Sequence, residues 1–132
     1  MLIDRETLER WLGLHAEHAG QLLPQPGVNV RCQMLTEGHP ELTWFITFAD
    51  GMYTASGLGL VDNPDCTLGL SLGALEGLMT DPAFDYLAAY IDGTMTFVAG
   101  SPEGAAGLSA IANTAGWFEL MASLRDVTFG PD

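Results

Sequence analysis

Few residues of this chain have the type and spacing for chemistry. His15 and His18 stand three apart, which puts two imidazoles on one helical face, the beginning of a metal site. Two ligands do not complete a coordination shell, and His39 falls in a distant turn. The pair therefore reads as a core histidine at 15 and a solvent-facing one at 18, and no metal or other cofactor is expected. Cys32 and Cys66 are the only thiols. Cys66 beside a histidine could act as a nucleophile. Each cysteine, however, sits in an alternating apolar run, the place of a buried free thiol. Asp62 with Asp65, and Asp81 with Asp85, are close carboxylates without the apolar surround that would split their pKa values into an acid and a base. Gly57-Leu58-Gly59 lacks the rest of a dinucleotide fingerprint, and neither HExxH nor GxSxG occurs. The chain is expected not to be an enzyme.

Composition removes further classes. The net charge is −13, lysine is absent, and Arg5, Arg10, Arg31 and Arg125 are the only strongly basic side chains. Four scattered arginines cannot neutralise a phosphate backbone, so no nucleic acid is expected as partner. The same repulsion disfavours an anionic membrane surface. Hydrophobic residues make up 48% of the 132 positions and charged ones 16%, enough apolar surface for one core. Residues 1–132 are therefore expected to form a single domain. The charged first ten residues are unlike a secretory leader. A disulfide between Cys32 and Cys66 on neighbouring strands is an alternative to free thiols, but the lack of a leader argues for a cytoplasmic location. No apolar run reaches the roughly 18 residues of a membrane span.

The elements that would position a site follow from periodicity. Asp4 is a helix cap, and Leu8, Trp11, Leu12, His15, Ala19 and Leu22 recur at helical spacing up to Pro24, Pro26 and Gly27. Residues 28–36 alternate, with Val28, Val30, Cys32 and Met34 on one side and Asn29, Arg31 and Gln33 on the other. Residues 41–49 alternate as well, through Leu42, Trp44, Ile46 and Phe48. Asp50-Gly51 predicts a hairpin into a third strand over 52–60. Residues 66–72 make a fourth strand that turns helical at Ser71 or Leu72. Asp81-Pro82 predicts the next helix, capped by Asp81, with Phe84, Leu87, Ala88 and Ile91 as its apolar stripe. Gly93 and Gly100 enclose a fifth strand. Ser101-Pro102-Glu103 starts a last helix that continues through Leu108, Ile111, Ala115, Phe118 and Met121, with a break near Gly116, and 127–132 reads as an extended tail. The fold class is α+β: a five-stranded, mostly antiparallel sheet covered by helices.

This order, with these residues, resembles the sterol carrier protein 2 family of lipid-transfer domains. Asp65, Thr67, Leu68 and Leu70 stand at its Asp-X-Thr-Leu strand. Leu72, Leu75, Leu78, Met79 and Thr80 stand at the leucine-rich helix, and Ala88, Ile91 and Gly93 lead into the glycine-bounded strand closed by Gly100. Leu108 and Ile111 follow in the last helix. The resemblance covers about the second half; the first half agrees in element order. Two departures stand out. Thr94, Met95 and Thr96 replace the lysines usual around that strand, and Thr80-Asp81-Pro82 replaces a glycine–lysine step.

The resemblance implies binding, and transfer, of an apolar small molecule such as a fatty acyl, sterol-like or polyketide-like compound in a tunnel between sheet and helices. Small residues from Gly104 to Ala112 let the last helix approach the sheet closely or leave room beside it. Trp44, Met79, Phe97, Leu108, Ile111 and Phe118 are the expected lining. Gly104, Gly107 and Gly116 weaken that helix and mark it as a movable wall. Two other readings stand beside this one: a protein-interaction or homodimerisation module with a filled core, and a small enzyme acting on an apolar substrate. A tunnel of several hundred Å3 would separate the first from the second, and polar groups converging inside it would favour the third.

Overall fold

The computed structural model describes residues 3–130 except Pro82. Helix α1 (Arg5–Gly13) starts where Asp4 accepts a hydrogen bond from the Thr7 amide at 2.8 Å, and it buries Leu8, Trp11 and Leu12. The expected long first helix is interrupted at Leu14 and resumes as α2 (His15–His18) and a 3-10 turn (Ala19–Gln21). Gly13, a weak helix former, precedes the break. Just beyond it the His15 ring takes a carbonyl of the preceding turn, its Nδ1 lying 3.0 Å from the Trp11 oxygen.

Five strands follow in the order β3-β2-β1-β4-β5. They are β1 (Val30–Thr36), β2 (Trp44–Ala49), β3 (Met52–Leu58), β4 (Cys66–Leu70) and β5 (Met95–Gly100). The central β1–β4 pair is parallel and the other three are antiparallel, as the mostly antiparallel reading requires. Strand β2 begins later than expected, because Pro40–Leu42 forms a 3-10 turn. Val30, Cys32 and Met34, with Trp44, Ile46, Phe48, Leu68 and Leu70, make the buried face. Burying each such side chain contributes about 1.5–3 kcal/mol.

Gln33, placed on the polar side by alternation, is buried as well. Its Nε2 donates to the Trp44 and Gly59 carbonyls at 2.8 and 3.0 Å, and its Oε1 accepts from Val61 N at 2.8 Å. That amide fastens the β3–β4 loop across the far face. Asp65 joins β1 to β4: its carboxylate accepts from Arg31 N at 2.7 Å, and its carbonyl accepts from Ser101 N at 2.9 Å.

Helices α3 (Leu72–Thr80), α4 (Tyr86–Asp92), α5 (Pro102–Ala112) and α6 (Ala115–Phe129) complete the chain. Ser71, Ser101 and Thr114 cap α3, α5 and α6 through side-chain oxygens. Three expectations change here. Asp81 does not cap a helix; it accepts from Ala83 N in a turn, Asp85 caps α4, and Pro82 lies outside the described residues. The last helix is two, divided at Asn113 and Thr114 rather than at Gly116, because the Thr114 hydroxyl starts α6 afresh. Residues 127–129 are helical rather than extended. Arg10 fixes that end by donating to the Val127 and Thr128 carbonyls at 3.3 and 2.8 Å, a cation at a helix C-terminus. Residues 131 and 132 are not among the described ones.

Candidate functional site

Between the helices and the buried face of the sheet lies a cavity of about 70 Å3. Trp44 and Ile46 of β2, Met34 of β1, Leu68 and Leu70 of β4 and Met95 of β5 form its floor. A lining that touches four adjacent strands spans roughly 14 Å at the usual strand spacing. Trp11 and His15 close the β2 end, and Tyr86 and Tyr90 stand at the β5 end. Ala105, Leu108, Ser109, Ala112 and Asn113 of α5 and Trp117 of α6 make the roof. Tyr90, Ser109 and Asn113 are exposed, so the cavity reaches the surface between α4 and α5.

The small residues of α5 serve both purposes that the sequence left open. A Cβ on Gly104 would lie 2.5 Å from the Asp65 carbonyl oxygen, and one on Gly107 would lie 2.6 Å from Val30 Cγ2. At those two positions α5 presses onto the sheet. Ala105 and Ala112 instead face the cavity, where short side chains leave it open.

Of the six expected lining residues, Trp44 and Leu108 line this cavity. Met79 and Ile111 are buried but lie outside its lining. Phe97 pairs with Leu68 across β4 and β5, so it shares the covered face, but it stands at the sheet edge and is 45% exposed. Phe118 lines a second hollow of about 110 Å3 with Phe84, Met121 and Arg125. Leu78 and Tyr86 line both hollows and form the partition between them. Trp117 Nε1 donates to the Tyr86 hydroxyl at 2.5 Å, and burial pushes the Tyr86 phenol well above its usual range, so it stays neutral.

Among residues that the sequence reading did not place at a ligand, His15 matters most. It is fully buried, against the intermediate His18, and burial lowers its pKa from 6.5 to about 4, the hydrogen bond to Trp11 opposing in part. Neutral at physiological pH, it is not a cation, and no cluster of three metal-ligating side chains occurs among the described residues. The signal for it was its place on the buried stripe with Trp11.

Cys32 and Cys66 are register partners on parallel strands, both buried and free, with Sγ atoms 3.5 Å apart. The hydrogen bond to Cys66 and burial hold the Cys32 thiol well above its ordinary range. Asp85 serves as a cap and Asp65 as a strand tie.

The α4 stripe departs most from expectation. Leu87 and Ile91 are 67% and 78% exposed, and only Ala89 of that helix is buried. With Phe97 and Val98 they leave apolar surface at the β5 edge.

The fold defined by this sheet order and helix layer is an α+β fold of the sterol carrier protein 2 kind. A solution structure from Thermus thermophilus, the conserved hypothetical protein TT1886, described as possibly sterol carrier protein, is 12% identical, covers all of this chain and 92% of its own, and superposes with a TM-score of 0.50. The ubiquinone synthesis protein UbiJ-SCP2 is 16% identical over 83% of this chain and 85% of its own, with a TM-score of 0.45. The stereoselective inverting sec-alkylsulfatase Pisa1 from Pseudomonas sp. is 14% identical over 87% of this chain, with a TM-score of 0.47, and this chain spans 15% of its length. No protein-family profile matches the sequence, and no curated protein matches it. Among the described residues no helix is long and apolar enough to cross a membrane.

Proposed function

We propose that this protein binds an apolar small molecule, of the fatty acyl or sterol-like class, between its sheet and its helices. One observation carries the reading: an apolar cavity crosses four strands under a helix whose short side chains hold it open. As closed, its volume of about 70 Å3 is room for part of a ligand. It is smaller than the ~150 Å3 cavity that accepts benzene in an engineered case. Loading a longer chain therefore requires the wall to move. The Leu78 and Tyr86 partition is the place where the two hollows would join, and it would bring Phe118 into the lining with Trp44 and Leu108. Phe97 would stand at the mouth, with Met79 and Ile111 supporting the wall from behind. Transfer between membranes or partners is a further step of the same proposal, and the −13 charge directs it away from anionic surfaces.

The test is binding of a fluorescent fatty acid, with native mass spectrometry of the purified protein for a retained lipid. Saturable micromolar binding that Ala112→Phe abolishes is the expected result. Absence of binding by the folded wild type would overturn it. A second reading, homodimerisation, is favoured by the exposed Leu87, Ile91, Phe97 and Val98. Sedimentation of wild type and Ile91→Glu separates it from the first.

A further inference from the structure

The β2 end of the cavity carries polar atoms that an apolar ligand alone would leave unused. Trp11 Nε1, Trp44 Nε1 and His15 Nε2 are buried and make no hydrogen bond. All three side chains line the cavity. The rings are in contact: Trp11 meets His15 edge-on with centroids 4.6 Å apart, and meets Trp44 edge-on at 5.7 Å. Buried polar atoms are rarely left unpaired, so three in one small lining call for an occupant.

Chemistry fixes the role of each atom. An indole nitrogen only donates. His15 Nδ1 faces the Trp11 carbonyl oxygen at 3.0 Å, and a carbonyl only accepts, so Nδ1 carries the proton. Nε2 of the neutral ring then presents a lone pair. Of the other polar groups of the lining, the Tyr86 hydroxyl accepts from Trp117 and the Asn113 amide nitrogen donates to Ser109, while Tyr90, Ser109 and Asn113 stand exposed at the open side, away from the closed end. The closed end thus offers two donors and one acceptor.

We infer that this Trp11–His15–Trp44 cluster receives a hydroxyl group at the end of an apolar ligand, an alcohol or a phenol; the inference rests on the apolar-ligand reading above. A hydroxyl oxygen has two lone pairs for the two indole N–H groups and one proton for His15 Nε2, so it satisfies all three. A carboxylate brings no proton and sets its charge against the Nε2 lone pair in a dry site. An ether satisfies the donors and leaves Nε2 unpaired. An ammonium group leaves both indoles unpaired.

The experiment titrates wild-type protein at pH 7 with 1-dodecanol, dodecyl methyl ether and dodecanoic acid, read by calorimetry and tryptophan fluorescence. The alcohol is expected to bind at least about tenfold more tightly than the ether or the acid, the worth of one well-made buried hydrogen bond. His15→Phe keeps a ring and removes the acceptor, and is expected to erase the preference over the ether while changing ether affinity by less than about threefold. Trp44→Phe removes a donor that both oxygens would use, and is expected to weaken alcohol and ether alike while leaving their ratio within about threefold of wild type. Equal affinity for alcohol and ether overturns the inference, leaving buried water as the occupant, and leaves the apolar-ligand reading standing. Tighter binding of the acid overturns it in favour of a carboxylate site. Failure of all three to bind overturns the inference together with the reading beneath it. The comparison on wild type needs no variant, so a substitution that fails to fold does not remove the test.

Discussion

Helix α5 meets the sheet in two ways along its 11 residues. At Gly104 and Gly107 it touches Asp65 and Val30 so closely that a single methyl group does not fit. Through Ala105, Leu108 and Ala112 it stands off and roofs the cavity. The same class of small residue makes a tight seam where it faces β1 and β4 and leaves a space where it faces the wider side chains behind it. The seam anchors the helix and the space is what a ligand could use. Mobility is therefore expected from the α4 side and the Tyr86 partition rather than from the seam.

The largest effect on that comparison is expected from His15, at the closed end of the space. Its folded pKa is depressed, so the unfolded chain binds more protons between pH 6.5 and about 4. Stability from this group is complete above pH 6.5 and is lost as pH falls toward 4, by about 3 kcal/mol at most. Protonation of the 17 carboxylates acts at the same time. The measurement is therefore the difference in denaturant midpoint between wild type and His15→Phe at pH 7 and pH 4. If the two proteins show the same pH dependence, the ring is not buried neutral.

Next comes the seam. Gly104→Ala gains about 1 kcal/mol of helix propensity yet places its Cβ against a backbone oxygen that cannot swing aside. A net loss of about 1–2 kcal/mol in chemical denaturation is expected, within the overpacking range. A neutral or stabilising outcome would mean that α5 is not pressed to the sheet there.

On the cavity side the balance reverses. Ala112→Leu is expected to change stability by less than about 1 kcal/mol, since it fills free space, and to weaken binding of a hydrophobic dye at least tenfold. If it destabilises as much as Gly104→Ala, the roof is packed as tightly as the seam and the contrast fails.

The smallest effect is expected at the exposed stripe. Leu87→Glu should shift stability by no more than about 0.5 kcal/mol, because its side chain is already 67% exposed. A larger loss accompanied by a change in sedimentation would point to a dimer through α4. The thiols give a check that needs no mutation: Cys32 and Cys66 should react with a thiol reagent only after denaturant is added, and rapid native labelling would show that the sheet opens.

Periodicity and punctuation carried most of the fold. Alternation located β1, β2 and β4 to within two or three residues, Asp50-Gly51 located the β2–β3 hairpin, and Ser101-Pro102 located the start of α5, because each signal is local and its physics lies within a few bonds. Readings that depended on what a residue faces went astray. Of the expected stripe Phe84, Leu87, Ala88 and Ile91, Phe84 falls in the turn before α4, and α4 lies at the sheet edge with too little beside it to cover Leu87 and Ile91. Gln33 sits in a polar register position, yet a loop more than twenty residues away closes over it.

The sequence alone determined the five strands and the order in which helical and extended segments alternate, the placing of both cysteines in apolar runs, the acidic charge and the resemblance to sterol carrier domains. Only the tertiary structure decided which glycines of α5 are seam and which alanines are roof, and that Phe118 belongs to a separate hollow. It alone brought Trp11, His15 and Trp44 together with their ring nitrogens unpaired. Local propensity acts along the chain, whereas a cavity is made by residues far apart in sequence and exists only where their side chains fail to meet.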